Sequence, residues 1–258
     1  MSTFRSLGPI FLLMVLVMSA GWLWQRRHSN AGIVDVLWAL GLGASAVLLA
    51  CYGDGAFWPR LVLACLGAVW GVRLAWHLAV RVVGHAEDGR YRYLRGHWQG
   101  SQWRFFLFFQ LQALLVALFA VPFAVVAHNP VSAPLWLAVA VCIWIASVGG
   151  EVLADRQLAR FVAQPANRGK TCRAGLWRYS RHPNYFFEWL HWFTYVALAI
   201  GAPRAWLSWC GPLVMFVLLR WVSGIPFTEA QALRTRGEDY RDYQRRTPML
   251  FPWFPKEP

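Results

Sequence analysis

Seven apolar runs divide this chain, each near the roughly 17–25 residues that carry a helix across a bilayer. They are Leu7–Trp24, Ile33–Tyr52, Phe57–Val83, Phe105–Ala127, Pro134–Leu153, Tyr185–Gly201 and Ala205–Phe227. A soluble core has no use for so many. In lipid every backbone N–H and C=O must be satisfied inside the protein, and a helix does this within one segment. The expected fold is therefore all-α, a polytopic membrane protein of seven transmembrane helices forming one domain over residues 1–258. Arg5 and the small residues Ser19-Ala20-Gly21 give the first run the look of a signal peptide. Trp22, Trp24 and the Arg26-Arg27 pair close it instead as a retained span.

Charge placement sets an orientation. Only 14% of residues are charged, against about 25% in a soluble domain, yet the net charge is +13. Such an excess points to nucleic acid until its positions are read. Nineteen of the 25 Lys and Arg lie in connections one, three and five and in the segment after Phe227. Arg5, Arg60 and Arg204 alone occupy the N-terminal segment and the even-numbered connections. Lys and Arg mark the cytoplasmic side, so the N-terminus is expected outside and the C-terminus in the cytoplasm. The excess then needs no nucleic-acid partner. The 17 tryptophans suit interfacial anchoring. The long connections, about Gly84–Arg104 and Ala154–Asn184, share the cytoplasmic side with the tail, so a polar reagent would arrive there. Five cysteines, with no CxxC and no Cys/His pair at zinc spacing, argue against a metal or disulfide framework. Cys172, in a polar loop, reads as an ordinary loop residue.

Ionisable residues inside spans are expensive and mark function by default. Arg73 and His77 stand at i, i+4, as do Glu151 and Asp155, while Asn184, Glu188 and His191 share a helical face. Asp35 lies early in span two. Each has a structural alternative: Asp35 can cap its helix, and Arg73 and His77 can neutralise partners within the bundle. Two carboxylates one turn apart repel, so Glu151 and Asp155 need donors, supplied by a polar ligand or by the arginines of connection five. That connection runs into span six as Arg178-Tyr179-Ser180-Arg181-His182-Pro183-Asn184-Tyr185. Pro183 fits the first helical turn, leaving free N–H groups beside Arg178, Arg181 and His182. The set suits an anion, or is a basic loop that obeys the orientation rule.

Three pieces of this region form a pattern: Glu151-x-x-x-Asp155-x-Gln157; Gly175-Leu176-Trp177-x-Tyr179-Ser180-Arg181-His182-Pro183-Asn184-Tyr185-Phe186-x-Glu188; and Glu238-Asp239-Tyr240 ahead of Phe251-Pro252. With Asp35-Val36-Leu37-Trp38, Arg73-Leu74 and Glu87-Asp88-Gly89-Arg90-Tyr91, it resembles the 3-oxo-5-alpha-steroid 4-dehydrogenase (steroid 5-alpha-reductase) family and its bacterial relatives. The resemblance implies a membrane reductase that uses NADPH to saturate the carbon–carbon double bond of an enone lipid, such as a 4-ene-3-oxosteroid. No GxGxxG opens a strand–helix unit here, so cytoplasmic arginines would hold the phosphates. By motif position the resemblance implies a cofactor-binding region of about 151–252, with Glu151, Asp155, Lys170, Arg173, Tyr179, Arg181, His182, Asn184, Tyr185 and Glu188 as contacts. Asp155 and Asn184 lead that set; Glu151 replaces an Asn of the family. The steroid reductases polarise the substrate with a Gln or Glu on span two and a Tyr on span three. By location Asp35 and His77 take those places here, with Tyr91 as the loop alternative.

A rival resemblance is to S-adenosylmethionine-dependent membrane methyltransferases of the isoprenylcysteine and phospholipid type. They share Arg-His-Pro-x-Tyr, a following Glu and a late Gly-Glu-x-Tyr-x-x-Tyr, which here are Arg181-His182-Pro183-x-Tyr185, Glu229 and Gly237-Glu238-Asp239-Tyr240-x-x-Tyr243. A non-enzymatic transporter is the third reading. Against it, no inverted repeat is evident.

Overall fold

The structure, a computed structural model, describes residues 5–84 and 86–256. Every element among them is helical. The long helices are α1 (Leu7–His28), α2 (Ile33–Tyr52), α3 (Phe57–Gly84), α5 (Gln102–Ala127) and α6 (Pro134–Val162), with the short α4 (Gly89–His97) between α3 and α5. Then follow α7 (Pro183–His191), α8 (Phe193–Leu198), α9 (Cys210–Val217), α10 (Ile225–Arg236) and α11 (Glu238–Arg246). Six helical stretches are long and apolar enough to cross a membrane: α1, α2, α3, α5, α6 and the stretch Ala205–Arg236. The chain is a polytopic, all-helical membrane protein.

The expected span at Tyr185–Gly201 does not form one spanning helix. At Trp192 the backbone N–H bonds back three residues to the Trp189 carbonyl at 3.2 Å, so the α-helical ladder tightens and breaks between α7 and α8. A second irregularity lies at Leu218–Val222, one turn of π-helix. There the Ser223 N–H reaches the Leu218 carbonyl at 2.8 Å, and α10 restarts with Pro226 in its first turn, where no N–H is required.

The chain divides into two compact units. One runs to Val139 and takes in Tyr195–Gly211; the other comprises Ala140–Thr194 and the chain from Pro212 onward. In the first, α2 and α3 meet through small residues. A Cβ at Gly67 would lie 2.4 Å from the Ala46 Cβ. One at Gly71 would lie 2.8 Å from the Gly43 Cα and 2.9 Å from the Ala39 carbonyl oxygen. Lipid tails are as apolar as leucine, so helices in a membrane gain by close packing, and glycine permits it. Beside this seam Trp70 is fully buried and meets Trp38 edge-on at 6.2 Å, while Trp38 meets Phe119 of α5 at 5.7 Å. Because backbone atoms face Gly71, no rotamer change relieves an added methyl. Gly71→Ala is expected to cost about 1–3 kcal/mol, the usual range for overpacking. Gly84→Ala, where the methyl meets nothing within 4 Å, serves as the control in thermal unfolding of the detergent-solubilised protein.

In the second unit, α10 and α11 close a small core of Ala232, Tyr240 and Tyr243 with Leu233 against it. The tyrosines recur at i, i+3 along α11, so both face α10 while Glu238 and Arg241 stay exposed.

Candidate functional site

In the first unit the polar residues of α2 and α4 assemble into one network. Asp88 caps α4, accepting the Arg90 N–H at 2.9 Å. That fixes the next turn, and the Arg90 guanidinium donates to the Asp35 carboxylate at 2.7 Å and to the Tyr91 hydroxyl, lying over the Tyr91 ring. Tyr91 is only 1% exposed. Burial, reinforced by the Asp35 carboxylate, pushes its phenol well above the ordinary range, so it holds its proton at any physiological pH. Glu87 braces the same region: it accepts the Ala31 N–H at 2.8 Å and binds the Arg95 guanidinium with both oxygens, at 2.7 and 3.0 Å. Asp35 and Tyr91, singled out separately in the sequence, are thus joined by Arg90. His77 lies elsewhere, on the exposed face of α3 with Trp76 and Val80.

In the second unit the end of α6 carries Glu151, Asp155 and Gln157. Glu151 is buried. The Asn184 side-chain amide, in the first turn of α7, donates to Asp155 at 3.3 Å. Gln157 accepts the Leu176 N–H at 2.9 Å, and the Trp177 indole donates to the Ala154 carbonyl at 2.9 Å. This strapping needs Gly175: its φ is +60°, and a Cβ would fall 2.5 Å from the Gln157 amide. Asp155 and Asn184 therefore face each other across a fixed loop.

Arg181 and His182 serve a different partner. Glu229 of α10 pairs with the Arg181 guanidinium, Nε to carboxylate oxygen at 2.9 Å, and accepts from the His182 Nε2 at 3.2 Å, the Tyr240 hydroxyl at 3.4 Å and the Gln244 amide at 2.8 Å. Arg181 also donates to the Gln244 carbonyl at 2.9 Å. Burial lowers the His182 pKa, outweighing the pull of Glu229 toward the charged form, so the ring is neutral near pH 7 and donates from Nε2. Tyr185 stacks parallel to His182 at 5.4 Å and its hydroxyl meets Thr228 at 3.1 Å.

Arg173 is likewise committed. It donates to Asp242 at 2.8 Å and to Asp239 at 2.9 Å, while Asp239 also accepts the Thr171 N–H at 2.7 Å. Hydrogen bonds from Arg173 and Arg246 hold Asp242 down to about 2. Burial alone would raise Asp239, but Thr171 and Arg173 outweigh it and keep it low. A carboxylate with a depressed native pKa adds stability that is complete above its unfolded value and lost as pH falls through the native one. The Arg173 clamp is expected to weaken as pH drops from about 4 toward 2. Equilibrium unfolding across that window should show the slope, and Asp242→Asn should flatten it.

The arginines expected to meet Glu151 and Asp155 or an anion are therefore partly spent: Arg173 and Arg181 hold α10 and α11. Lys170, Arg168 and Arg178 remain exposed on the connecting loop, with Arg156 and Arg160 exposed at the end of α6. Tyr179 meets Phe254 edge-on and Glu188 is half-buried in α7. Cys172 is buried, which raises its thiol pKa, so it is a packed residue and not a reactive one. Sequence reasoning left out Arg90, Asp242, Gln244 and the clamp role of Asp239. The signal for the last was the i, i+3 spacing of Asp239 and Asp242, on the face next to that of Tyr240 and Tyr243.

Comparison with known proteins places this arrangement in a family. A model described as "Protein of unknown function (DUF1295)" matches residues 21–247. The chain belongs to that family. The match takes in every residue of the Asp35, Asp155 and Glu229 clusters. An uncharacterized protein of Schizosaccharomyces pombe, C594.04c, is 27% identical over 215 residues, covering 72% of this chain. The chain spans 61% of that relative's length. No solved structure matches.

Proposed function

We propose that this chain is a membrane-embedded, NADPH-dependent reductase of the carbon–carbon double bond in an enone lipid, such as a 4-ene-3-oxosteroid. The observation that carries the reading is the Asp155–Asn184 pair at 3.3 Å. The two residues that the resemblance to steroid 5-alpha-reductases puts first are also the two that meet. A carboxylate and an amide beside exposed cations form a donor set that fits a dinucleotide: Asp155 and Asn184 for ribose hydroxyls or the carboxamide, and Lys170, Arg168 and Arg178 for phosphates. The cofactor, when bound, supplies a hydride to the β-carbon. Tyr91 keeps its proton and is suited to polarise the enone carbonyl, while Asp35 and Arg90 orient it. Seven membrane passages, with Tyr185–Gly201 crossing as a broken helix, put connections three and five and the tail in the cytoplasm, where NADPH is available.

One observation favours a second reading. Glu229 gathers Arg181, His182 and Tyr240, the residue types shared with S-adenosylmethionine-dependent membrane methyltransferases. In the reductase reading this cluster is a scaffold that aims α7.

The test is NADPH oxidation by the purified protein with a 4-ene-3-oxosteroid. Tyr91→Phe is expected to lower kcat by about 10²–10⁴-fold, the range for general-acid groups, and Asp35→Asn to lower it less. Unchanged turnover in both variants refutes the assignment of these roles.

A further inference from the structure

Outside the candidate spans the described residues include a compact aromatic segment that water should not face. Residues Phe251-Pro252-Trp253-Phe254-Pro255-Lys256 follow the charged helix α11, and Phe251, Trp253 and Phe254 are 50%, 71% and 72% exposed. Exposed apolar side chains are ordinary on a lipid-facing helix. Three within four residues beyond the helices are not, since contiguous apolar patches on a water-facing surface mark a binding surface.

The segment is not loose. The Trp253 N–H donates to the Tyr179 carbonyl at 2.9 Å and the Lys256 N–H to the Arg246 carbonyl at 2.9 Å. Just before it, the Ser180 hydroxyl donates to the Leu250 carbonyl at 2.8 Å and the Arg181 N–H to the Pro248 carbonyl at 2.9 Å. Pro252 and Pro255 stiffen it further. Its backbone is thus sewn to 179–181, where the chain enters α7, and Trp253 and Phe254 stay 71% and 72% exposed.

Its depth follows from Phe251. That ring packs against Phe186 at 6.2 Å and Trp189 at 5.4 Å on α7, and against Phe216 on α9 at 6.2 Å. Phe216 belongs to the candidate span Ala205–Arg236, so Phe251 touches apolar helix surface. Arg245 of α11 and Lys256 at the end of the segment are both exposed. Apolar helix surface beside Phe251 and exposed cations at Arg245 and Lys256 together match the mix of hydrocarbon and charge found at the headgroup level of a bilayer.

We propose that residues 251–256 form an interfacial strap, with Trp253 and Phe254 inserted at the headgroup–acyl boundary and Lys256 at the phosphates. The strap fixes the loop 179–181, and with it the start of α7, at membrane level. The occupant of the aromatic surface is phospholipid, not a second protein. This inference is independent of the reaction proposed above.

Trp253 can be read directly despite the other tryptophans, because the difference in emission between wild type and Trp253→Phe isolates it. In nanodiscs, phospholipids brominated near the top of the acyl chain are expected to quench the difference signal roughly twofold or more, with aqueous iodide having little effect, as for an interfacial indole. No response to brominated lipid overturns the proposal: with quenching by iodide the ring faces water, and without it the ring is covered by protein. A second readout covers the case in which Trp253→Phe perturbs folding: a fluorophore on Phe254→Cys, in a protein lacking the other cysteines, should give the same lipid-over-iodide preference, and the reverse preference overturns it.

Discussion

Glu229→Ala is expected to cost about 3–5 kcal/mol, the range for removing one partner of a buried ion pair, and to release α10 and α11 from the 171–182 loop. The size follows from what is left behind. Three groups donate to this one carboxylate and the Arg181 guanidinium pairs with it, and the Arg181 and His182 side chains are only 11% and 3% exposed. Without Glu229 a guanidinium stays out of water with no carboxylate to answer it. Glu229→Gln retains the shape and one acceptor oxygen and is expected to cost less. The neutral state of His182 adds a pH dependence. Its native pKa lies below the ordinary 6.5, so below about that pH the unfolded chain takes up the proton more readily and stability falls. Denaturation midpoints at pH 7.5 and 5.5, with limited proteolysis after Arg173 and Arg241 as the local readout, check both statements.

The second large effect concerns binding. Under the reductase proposal, Asn184→Ala and Asp155→Ala are each expected to weaken NADPH affinity by about 10- to 100-fold, the loss of a hydrogen bond involving a charged group. Both should lower the unfolding midpoint less than Glu229→Ala does, because their mutual contact is long at 3.3 Å and both side chains are only part-buried. This contrast with Glu229 separates a ligand-facing pair from a scaffold. Equal losses of stability at Asp155, Asn184 and Glu229 would make all three structural.

What the sequence reveals here depends on the range of the interaction that decides each feature. Apolar runs are local sums, so the spanning helices are readable to within a few residues at α2 and α3. The break at Trp192 is not, because neither proline nor glycine marks it and a single tightened hydrogen bond leaves hydropathy unchanged. The α2–α3 seam escaped for a different reason: Gly43, Gly67 and Gly71 read as apolar filler until the facing helix is known. Charges are visible in a sequence but their partners are not. Arg173 and Arg181 stand beside a helix N-terminus and invite an anion, yet their carboxylates arrive from Asp239, Asp242 and Glu229, dozens of residues later. Motif position singles out Asp155 and Asn184, and the connection between α6 and α7, pinned by Gln157 and Trp177, brings them together.

The proposed reduction requires a dinucleotide in the region of Asp155 and Asn184. Its most direct test is the affinity of the purified, nanodisc-embedded protein for NADPH, NADH and S-adenosylmethionine, measured by titration calorimetry with wild type and Asn184→Ala side by side. NADPH is expected to bind more tightly than NADH and more weakly to the variant than to wild type, with no heat from S-adenosylmethionine. Saturable binding of S-adenosylmethionine with none for NADPH would contradict it and favour the methyltransferase reading.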